Sequence, residues 1–375
     1  MGDSSPKFYM SKVLLDHFYK CGDKKFLNIW QAFDHQLRTK NIPNYILDED
    51  FVALLKNSKR PKNLSGNYIK SLIIDRLKQL RKQYRYLRLS LGGGTDSYSL
   101  LKYCVQNDIY LDEVYTHMVS LSPNTRMNLE FIPALNYAKS YVGQTIGSVI
   151  QHYPSIKECE FILEPGWYKN LKWVRGSMLP IRGVAPVQNL YKTDLPIHDT
   201  LTIYGFEKPY FIKENGIIYW IQLDPGLSEL MGCENALPLF FDKECPEIAI
   251  AMAFAMLEHS DLSKDFIGYD VQPALKKQKI LHEMGLESTG HFFIDHHTLG
   301  KSLIDCKSKK NIMYQNELVN HGRHDIVDAY FKTHKLIIAQ YKKMDHAIEI
   351  YENDLVKPVS RISQKIPVYQ DFFGS

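Results

Sequence analysis

One short run in this sequence combines residue types that could do chemistry: Gly92-Gly93-Gly94-Thr95-Asp96-Ser97. It follows a strand-like run, Tyr86–Leu91, and it opens a helical pattern. Backbone N–H groups at the start of a helix have no partner inside the helix, and the helix dipole adds partial positive charge there. Glycines let a ligand approach the backbone, and the hydroxyls of Thr95 and Ser97 add donors. The run therefore predicts a phosphate-binding loop; the alternative is an ordinary glycine-rich turn.

The elements that must position this loop are strands and helices in alternation. Strands are predicted at 86–91, 113–120, 147–152 and 200–204, with helices at 97–106 and 129–142. Such alternation predicts an α/β fold, a doubly wound, Rossmann-like parallel sheet that binds ligands at the carboxyl ends of its strands. Asn215-Gly216, between two alternating runs, predicts a hairpin turn.

Three regions are predicted along the chain: a helical N-terminal extension over 1–65, a nucleotide-binding domain over 66–260, and a mostly helical region over 261–375. The break before the second region is the Pro61–Gly66 stretch, and an amphipathic helix follows it. Another helix is predicted from Glu247 to Glu258. The last region would contact substrate or a second subunit.

Charge is uneven along a chain of 375 residues whose net charge is only +4. Residues 56–88 carry eleven lysines and arginines against one acid, Asp75. This segment could follow a polyanion, either nucleic acid or nucleotide phosphates; the alternative is a solvated helix face. No apolar run is long enough to cross a membrane and the N-terminus does not resemble a signal peptide, so we expect a cytoplasmic protein without a membrane partner.

The glycine-rich run resembles the signature of the PP-loop ATP pyrophosphatases, Ser-Gly-Gly-x-Asp-Ser at the end of the first strand. Gly93 and Gly94 match the two glycines, Thr95 takes the variable position, and Asp96-Ser97 closes the motif. Gly92 stands where the family has serine, which removes one hydroxyl, although Ser90 is nearby in the chain. The run lacks the Gly-Lys-Ser/Thr of a Walker-type loop.

Two further stretches resemble nitrogen-type members of this superfamily, including many encoded by bacteriophages. They are Thr202–Pro209, at the fourth strand, and Phe240–Glu247, before the helices of the substrate domain. The resemblance covers roughly residues 66 to 260 and extends to the synthetase domain of asparagine synthetases, without their glutaminase domain.

The resemblance implies a fold of the HUP, or adenine nucleotide alpha hydrolase-like, class, with ATP and Mg²⁺ as cofactors. Ser90 and residues Gly92, Gly93, Gly94, Thr95, Asp96 and Ser97 would bind the nucleotide, and Asp96 would also contact Mg²⁺. Adenine would lie near Ser120 and Leu121. Glu207 would orient or deprotonate an amine, and Lys208 would neutralise phosphate charge.

The implied reaction begins when a substrate oxygen attacks the α-phosphate of ATP and pyrophosphate leaves; a nitrogen nucleophile then displaces AMP. Arg175 and Arg182, between the third and fourth predicted strands, are candidate substrate contacts, with ordinary packing as the alternative. The substrate would be a small amine or carboxylate, or a modified base in DNA or RNA. A homodimer is among the predicted partners, and a phage-encoded protein would act in the host cytoplasm.

Two rival functions stay open at this point. Sulfur chemistry, such as adenylylsulfate or phosphoadenylylsulfate reduction or thiolation, is disfavoured because the cysteines are scattered and Cys306 stands alone. A protein that binds nucleotide or nucleic acid without turnover is favoured by one feature, the glycine at position 92.

Overall fold

The structure is a computed structural model that describes residues 14, 16–27, 29–41, 43–92, 95–117, 131–153, 155–164, 195–205, 210–221, 235–258, 266–267, 316–329, 332 and 365–368. These residues form three sheets and the helices that pack around them.

The N-terminal region contains a small antiparallel sheet as well as helices. Its elements are β1 (Phe18–Cys21), β2 (Lys24–Phe26), α1 (Ile29–Thr39), β3 (Asn44–Ile46) and α2 (Glu49–Lys56), with strand order β2-β1-β3. Gly22, with φ of 61°, allows the tight turn between β1 and β2. The prediction of a helical extension over 1–65 is therefore wrong at 18–26 and 44–46, where the turn closes a hairpin and β3 adds to it.

The next elements match the predicted alternation closely. They are α3 (Gly66–Gln83), β4 (Tyr86–Ser90), α4 (Thr95–Gln106), β5 (Leu111–His117), α5 (Ile132–Ser140), β6 (Ile146–His152), α6 (Ile156–Cys159) and β7 (Thr200–Tyr204). Ser65 caps α3 by accepting a hydrogen bond from the amide of Tyr68. The predicted strand over 113–120 begins two residues earlier, and residues 118–120 lie outside the described part of the chain.

An antiparallel hairpin follows β7, made of β8 (Tyr210–Glu214) and β9 (Ile217–Ile221). Asn215 and Gly216 both have positive φ, 50° and 80°, as a two-residue type I′ turn requires. The hairpin predicted from Asn-Gly is thus confirmed.

Two elements complete the part of the fold that surrounds the parallel sheet: β10 (Ala236–Pro238) and α7 (Glu247–Glu258), the latter with the predicted bounds. The sheet has the order β10-β7-β4-β5-β6, and every neighbouring pair is parallel. The chain thus runs from the central strand β4 outward to β6, then returns to the other side of β4. This is an α/β fold with a Rossmann-like sheet.

Few residues of the region predicted as mostly helical, 261–375, are described. They include helical stretches at 316–320 and 324–329, and two short strands, β11 (Phe266–Ile267) and β12 (Ile366–Val368). These strands flank the hairpin in a second antiparallel sheet of order β11-β8-β9-β12. The sequence analysis named no strand in this region; β11 and β12 each pair with an edge of the hairpin, and the prediction of a mostly helical region stays a prediction.

One continuous cluster of buried side chains links the N-terminal elements, the parallel sheet and the hairpin. Phe51 of α2 lies at the centre of this junction: its ring is 6.5 Å from that of Trp220 in β9 and 5.5 Å from that of Phe241. All residues of α7 from Ile248 to Leu257 are buried. The N-terminal elements thus share the core of the parallel sheet.

Candidate functional site

The candidate site is the crevice where the order of the parallel strands reverses. β4 and β7 are neighbours, but β4 leads to β5 on one side, whereas β7 pairs with β10 on the other. Connections from two such strands leave the sheet in opposite directions, which opens a crevice at their carboxyl ends. The glycine-rich run follows β4, and the stretch that carries Glu207 and Lys208 follows β7. The two strands that precede the predicted loops therefore end side by side at this point.

The loop after β4 is held by its own last residue. The amide of Gly92 donates a hydrogen bond of 3.0 Å to Oγ of Ser97, a buried residue in the first turn of α4. The N–H of Gly92 is thus directed at the side chain of Ser97. Gly92 itself is exposed.

The end of β7 touches the same turn of α4. A methyl group built on Gly205 would lie 2.9 Å from Cα of Ser97, 3.0 Å from its nitrogen and 2.9 Å from Cδ1 of Leu100. Two of these three contacts are with backbone atoms, which no change of rotamer can relieve. Glycine is therefore the residue that fits between the strand end and the helix.

Ser90, the last residue of β4, belongs to a row of hydroxyl side chains across three strands. It is in register with Tyr115 of β5 and with Tyr204 of β7, and residues paired in this way point to the same face of a sheet. The row below it contains Arg88, paired with Glu113 by an ion pair of 2.5 Å, and Thr202. Apart from the half-buried Ser90, these residues are buried.

A polar face of this kind is unusual, because parallel sheets are normally apolar on both faces. The opposite face is mostly apolar, with Asp112 and Thr116 of β5 as polar members; its apolar residues are Leu87, Leu89, Val114, Leu201 and Ile203. The polar face is therefore the face of the sheet on which Ser90 lies, at the crevice.

Asp96 is half-buried in the first turn of α4, where a carboxylate interacts favourably with the helix dipole. Its charge is close enough to Tyr103 to act on that phenol: burial, and then Asp96, raise the pKa of Tyr103 above its usual value. The ammonium of Lys70 lies 5.4 Å from the centre of the Tyr103 ring, on the side of α3.

A carboxylate beside a phosphate-binding turn would repel a nucleotide unless a cation lay between them. Mg²⁺ is commonly bound by one or two carboxylates together with substrate phosphates, so Asp96 fits the predicted magnesium contact. Among the residues that the structure describes, no group of three or more His, Cys, Asp or Glu could hold a metal ion.

The arginines of the basic segment have acidic partners inside the fold. The pairs are Arg60–Glu258, Arg76–Asp242, Arg81–Asp112, Arg85–Asp199 and Arg88–Glu113, with the shortest N–O distances at 2.5 Å and the longest at 3.8 Å. The excess positive charge of 56–88 is therefore carried by lysines. Composition alone overstates how basic this surface is, because the paired acids come from distant parts of the chain.

Three consecutive charged residues after β10 form a clamp between α2 and α3. Asp242 accepts from Nε of Arg76 at 2.5 Å, and Glu244 accepts from Nη2 of the same arginine at 2.9 Å. Lys243 donates to Asp48, the N-cap of α2, at 3.2 Å. Burial raises the pKa of Asp242, and the positive charge of Arg76 acts in the opposite direction. The resemblance placed this stretch at the start of the substrate domain; the structure gives it ion pairs that join elements.

The predicted site residues fall into two groups. The structure brings together Ser90, Gly92, Asp96, Ser97 and the helical backbone of Thr95 at the end of β4. Outside the described residues lie the other predicted site positions: Gly93, Gly94, Ser120, Leu121, Arg175, Arg182, Glu207 and Lys208.

Sequence reasoning missed Gly205, although a glycine at the end of a predicted strand beside a proposed site is a usable signal. It also missed the hydroxyl row, which alternation in the two strands could have indicated.

Comparisons with models of known protein families, with curated proteins and with solved structures found no match to this chain. Within the part of the chain that the structure describes, none of the helices has the length and apolar character needed to cross a membrane.

Proposed function

We propose that this protein is an ATP pyrophosphatase of the PP-loop type whose parallel sheet belongs to the HUP class. The observation that carries the proposal is the position of the Gly92–Ser97 run, which leaves β4 at the strand-order reversal and contacts the end of β7 through Gly205. The Ser-Gly-Gly-x-Asp-Ser resemblance and the preference of nucleotides for this crevice point to the same ligand.

In the proposed reaction, a carboxylate or carbonyl oxygen of the substrate attacks the α-phosphorus of ATP. The bond between that phosphorus and the bridging oxygen breaks, and pyrophosphate leaves with the electron pair. Backbone donors of the loop and the first turn of α4 would stabilise the charge that develops on the leaving group. Asp96 would contact the Mg²⁺ that accompanies the phosphates, and Lys208 would neutralise further phosphate charge.

In the second step, an amine nitrogen attacks the adenylated carbon, the C–O bond breaks, and AMP leaves. Glu207 would take the proton that the nitrogen loses. Ser120 and Leu121 would contact adenine, and Arg175 and Arg182 would contact the acceptor. The acceptor class is a small carboxylate or a base in a polynucleotide; the paired arginines of 56–88 give the polynucleotide less support than composition alone.

The described cysteines favour nitrogen over sulfur chemistry. Reactive thiols have lowered pKa values, but burial raises the pKa of Cys104 to about 12, and burial, then Glu247 and Asp242, raise that of Cys245 to about 12. Both are therefore protonated thiols at neutral pH. Cys233 and Cys306 lie outside the described residues.

The test is an incubation with α-labelled ATP and Mg²⁺, with and without a pool of DNA, tRNA, amino acids and polyamines. We expect labelled AMP and equimolar pyrophosphate that depend on one member of the pool, and we expect both to be lost in Asp96→Ala. Asp75→Ala, which removes an exposed acid from the middle of α3, is the matched control and should retain activity. Labelled ADP, or nucleotide that is bound but never cleaved, would contradict the proposal and favour a nucleotide-binding protein without turnover.

A further inference from the structure

We propose that Gly205 is a positioning residue that fixes the pyrophosphate-binding turn of α4 against the end of β7. The inference rests on the proposed function, because it concerns the same crevice. Gly205 directly follows Tyr204, which is in register with Ser90, so the strand end lies beside the start of the glycine-rich loop.

The contact between the strand end and the helix is made by backbone. A methyl group at position 205 would come within 2.9 Å of Cα of Ser97 and 3.0 Å of its nitrogen, whereas ordinary contacts of this kind are 3.4 Å or longer. Leu100 could move its side chain, but Ser97 could separate from the new methyl group only if the first turn of α4 moved relative to the end of β7. The required shift is about 0.5 Å, which is the tolerance within which a binding constellation must be held.

A shift of Ser97 would reach the loop as well as the helix. Oγ of Ser97 accepts the hydrogen bond from the amide of Gly92, at the other end of the motif. Gly205 therefore bears on both ends of the predicted anion site, although its own lack of a side chain gives it nothing with which to contact a phosphate. Adenine and ribose, which this turn does not hold in the proposed function, should be affected little.

The chain offers a matched control at the opposite edge of the sheet. Gly147 lies near the start of β6, and a methyl group there would come within 2.6 Å of the carbonyl oxygen of Asp112 and 2.9 Å of the hydroxyl of Tyr110. Gly147→Ala should therefore disturb the fold at least as much as Gly205→Ala, but far from the carboxyl ends of β4 and β7. The pair separates a loss of stability from a loss of positioning.

The experiment measures the dissociation constants of inorganic pyrophosphate and adenosine by calorimetry for the wild type, Gly205→Ala and Gly147→Ala, with thermal unfolding of each. For Gly205→Ala we expect pyrophosphate binding to weaken on the order of tenfold, since a 1 Å misplacement can cost about a hundredfold, while adenosine binding stays within twofold. Gly147→Ala should leave both constants unchanged despite a lower melting temperature.

Equal pyrophosphate affinity in the wild type and Gly205→Ala would overturn the inference, as would an equal loss in Gly147→Ala. Should Gly205→Ala not fold, Gly205→Ala combined with Leu100→Val removes the carbon that the new methyl group meets on the buried Leu100, keeps the total volume nearly constant, and leaves the backbone contact with Ser97. It should then show the same selective loss, and wild-type affinity in that variant would equally refute the role. Failure of the wild type to bind pyrophosphate would instead contradict the proposed function.

Discussion

The clamp after β10 supports the sharpest stability prediction, because its residue Asp242 and the partner of that residue on α3, Arg76, are almost fully buried. Arg76 and Asp242 are 4% and 3% exposed, and their side chains are 2.5 Å apart. Removing one member of a buried ion pair leaves an uncompensated charge, which typically costs about 3–5 kcal/mol. We therefore expect Asp242→Asn and Arg76→Met each to lower the free energy of unfolding by about 3 kcal/mol or more.

The two variants should differ in their pH dependence. Asp242 without Arg76 can take up a proton, because burial already raises its pKa. The penalty of Arg76→Met should thus shrink as pH falls from 8 to 5, whereas that of Asp242→Asn should not shrink in this way, since a guanidinium does not lose its proton. Glu244→Gln is the control: its carboxylate is 36% exposed, so we expect a loss of at most about 1 kcal/mol.

Urea unfolding of the wild type, the single variants Arg76→Met and Asp242→Leu, and the double variant Arg76→Met/Asp242→Leu measures the coupling. Replacing both charges with apolar residues removes the unpaired charge, so the double variant should cost about 2–3 kcal/mol less than the two single losses added. Additive effects, or single losses below about 1 kcal/mol, would refute the conclusion that this pair joins α3 to the segment after β10.

Two other predictions concern His17 and Gly92. His17 is fully buried, and its Nδ1 accepts a hydrogen bond from the amide of Asp48. Burial lowers the pKa of His17 from 6.5 to about 3; the charge of Asp48 acts against this shift, and that of Lys243 adds to it. The unfolded chain therefore binds more protons than the folded protein below pH 6.5. Lowering the pH from 7 to 5 should reduce the free energy of unfolding by about 2 kcal/mol through this group. Urea unfolding should show that His17→Asn lacks this loss. In Gly92→Ser the new Cβ would lie 3.7 Å from Oγ of Ser97, an ordinary contact distance, and φ of residue 92 is outside the left-handed region. Thermal melting should therefore show no loss of stability, and titration should show tighter pyrophosphate binding. A melting temperature lowered by several degrees would contradict the reasoning for Gly92.

The parallel sheet was predictable because its strands and helices are regular and carry strong patterns. β7 and α7 have the predicted bounds, and β4 differs by one residue. The hairpin was predictable for a different reason, since Asn-Gly favours the positive φ values that its turn requires. The strands of the N-terminal sheet have only three or four residues, which is too short for alternation to show, and β11 and β12 exist through pairing with a distant hairpin.

The elements around the candidate site were predictable from a local motif. The glycine-rich run lies between a strand and a helix, as predicted, with Asp96 and Ser97 in the first turn of α4; the roles of these residues stay predictions. Ion-pair partners are not encoded locally, since Arg76 and Asp242 are 166 residues apart in the sequence. The composition therefore predicted a basic segment, although in the fold its arginines form ion pairs with acidic residues. The role of Gly205 depends on the distance between a strand end and a helix, which no pattern along the chain contains.

The ends of β4 and β7 and the first turn of α4 contact one another directly. β4 and β7 pair over five residues, Gly205 lies against the backbone of Ser97, and Oγ of Ser97 accepts a hydrogen bond from the amide of Gly92. Each link joins one wall of the crevice to the other, or joins the loop to the helix that it precedes, and none depends on a long side chain. In the proposed function, donors held in this way would lose little entropy on binding pyrophosphate, and such preorganisation is what electrostatic stabilisation of the proposed leaving group would require. Because position 205 lies against the backbone of Ser97, we expect a single methyl group there to alter anion binding more than a larger steric clash elsewhere in the sheet.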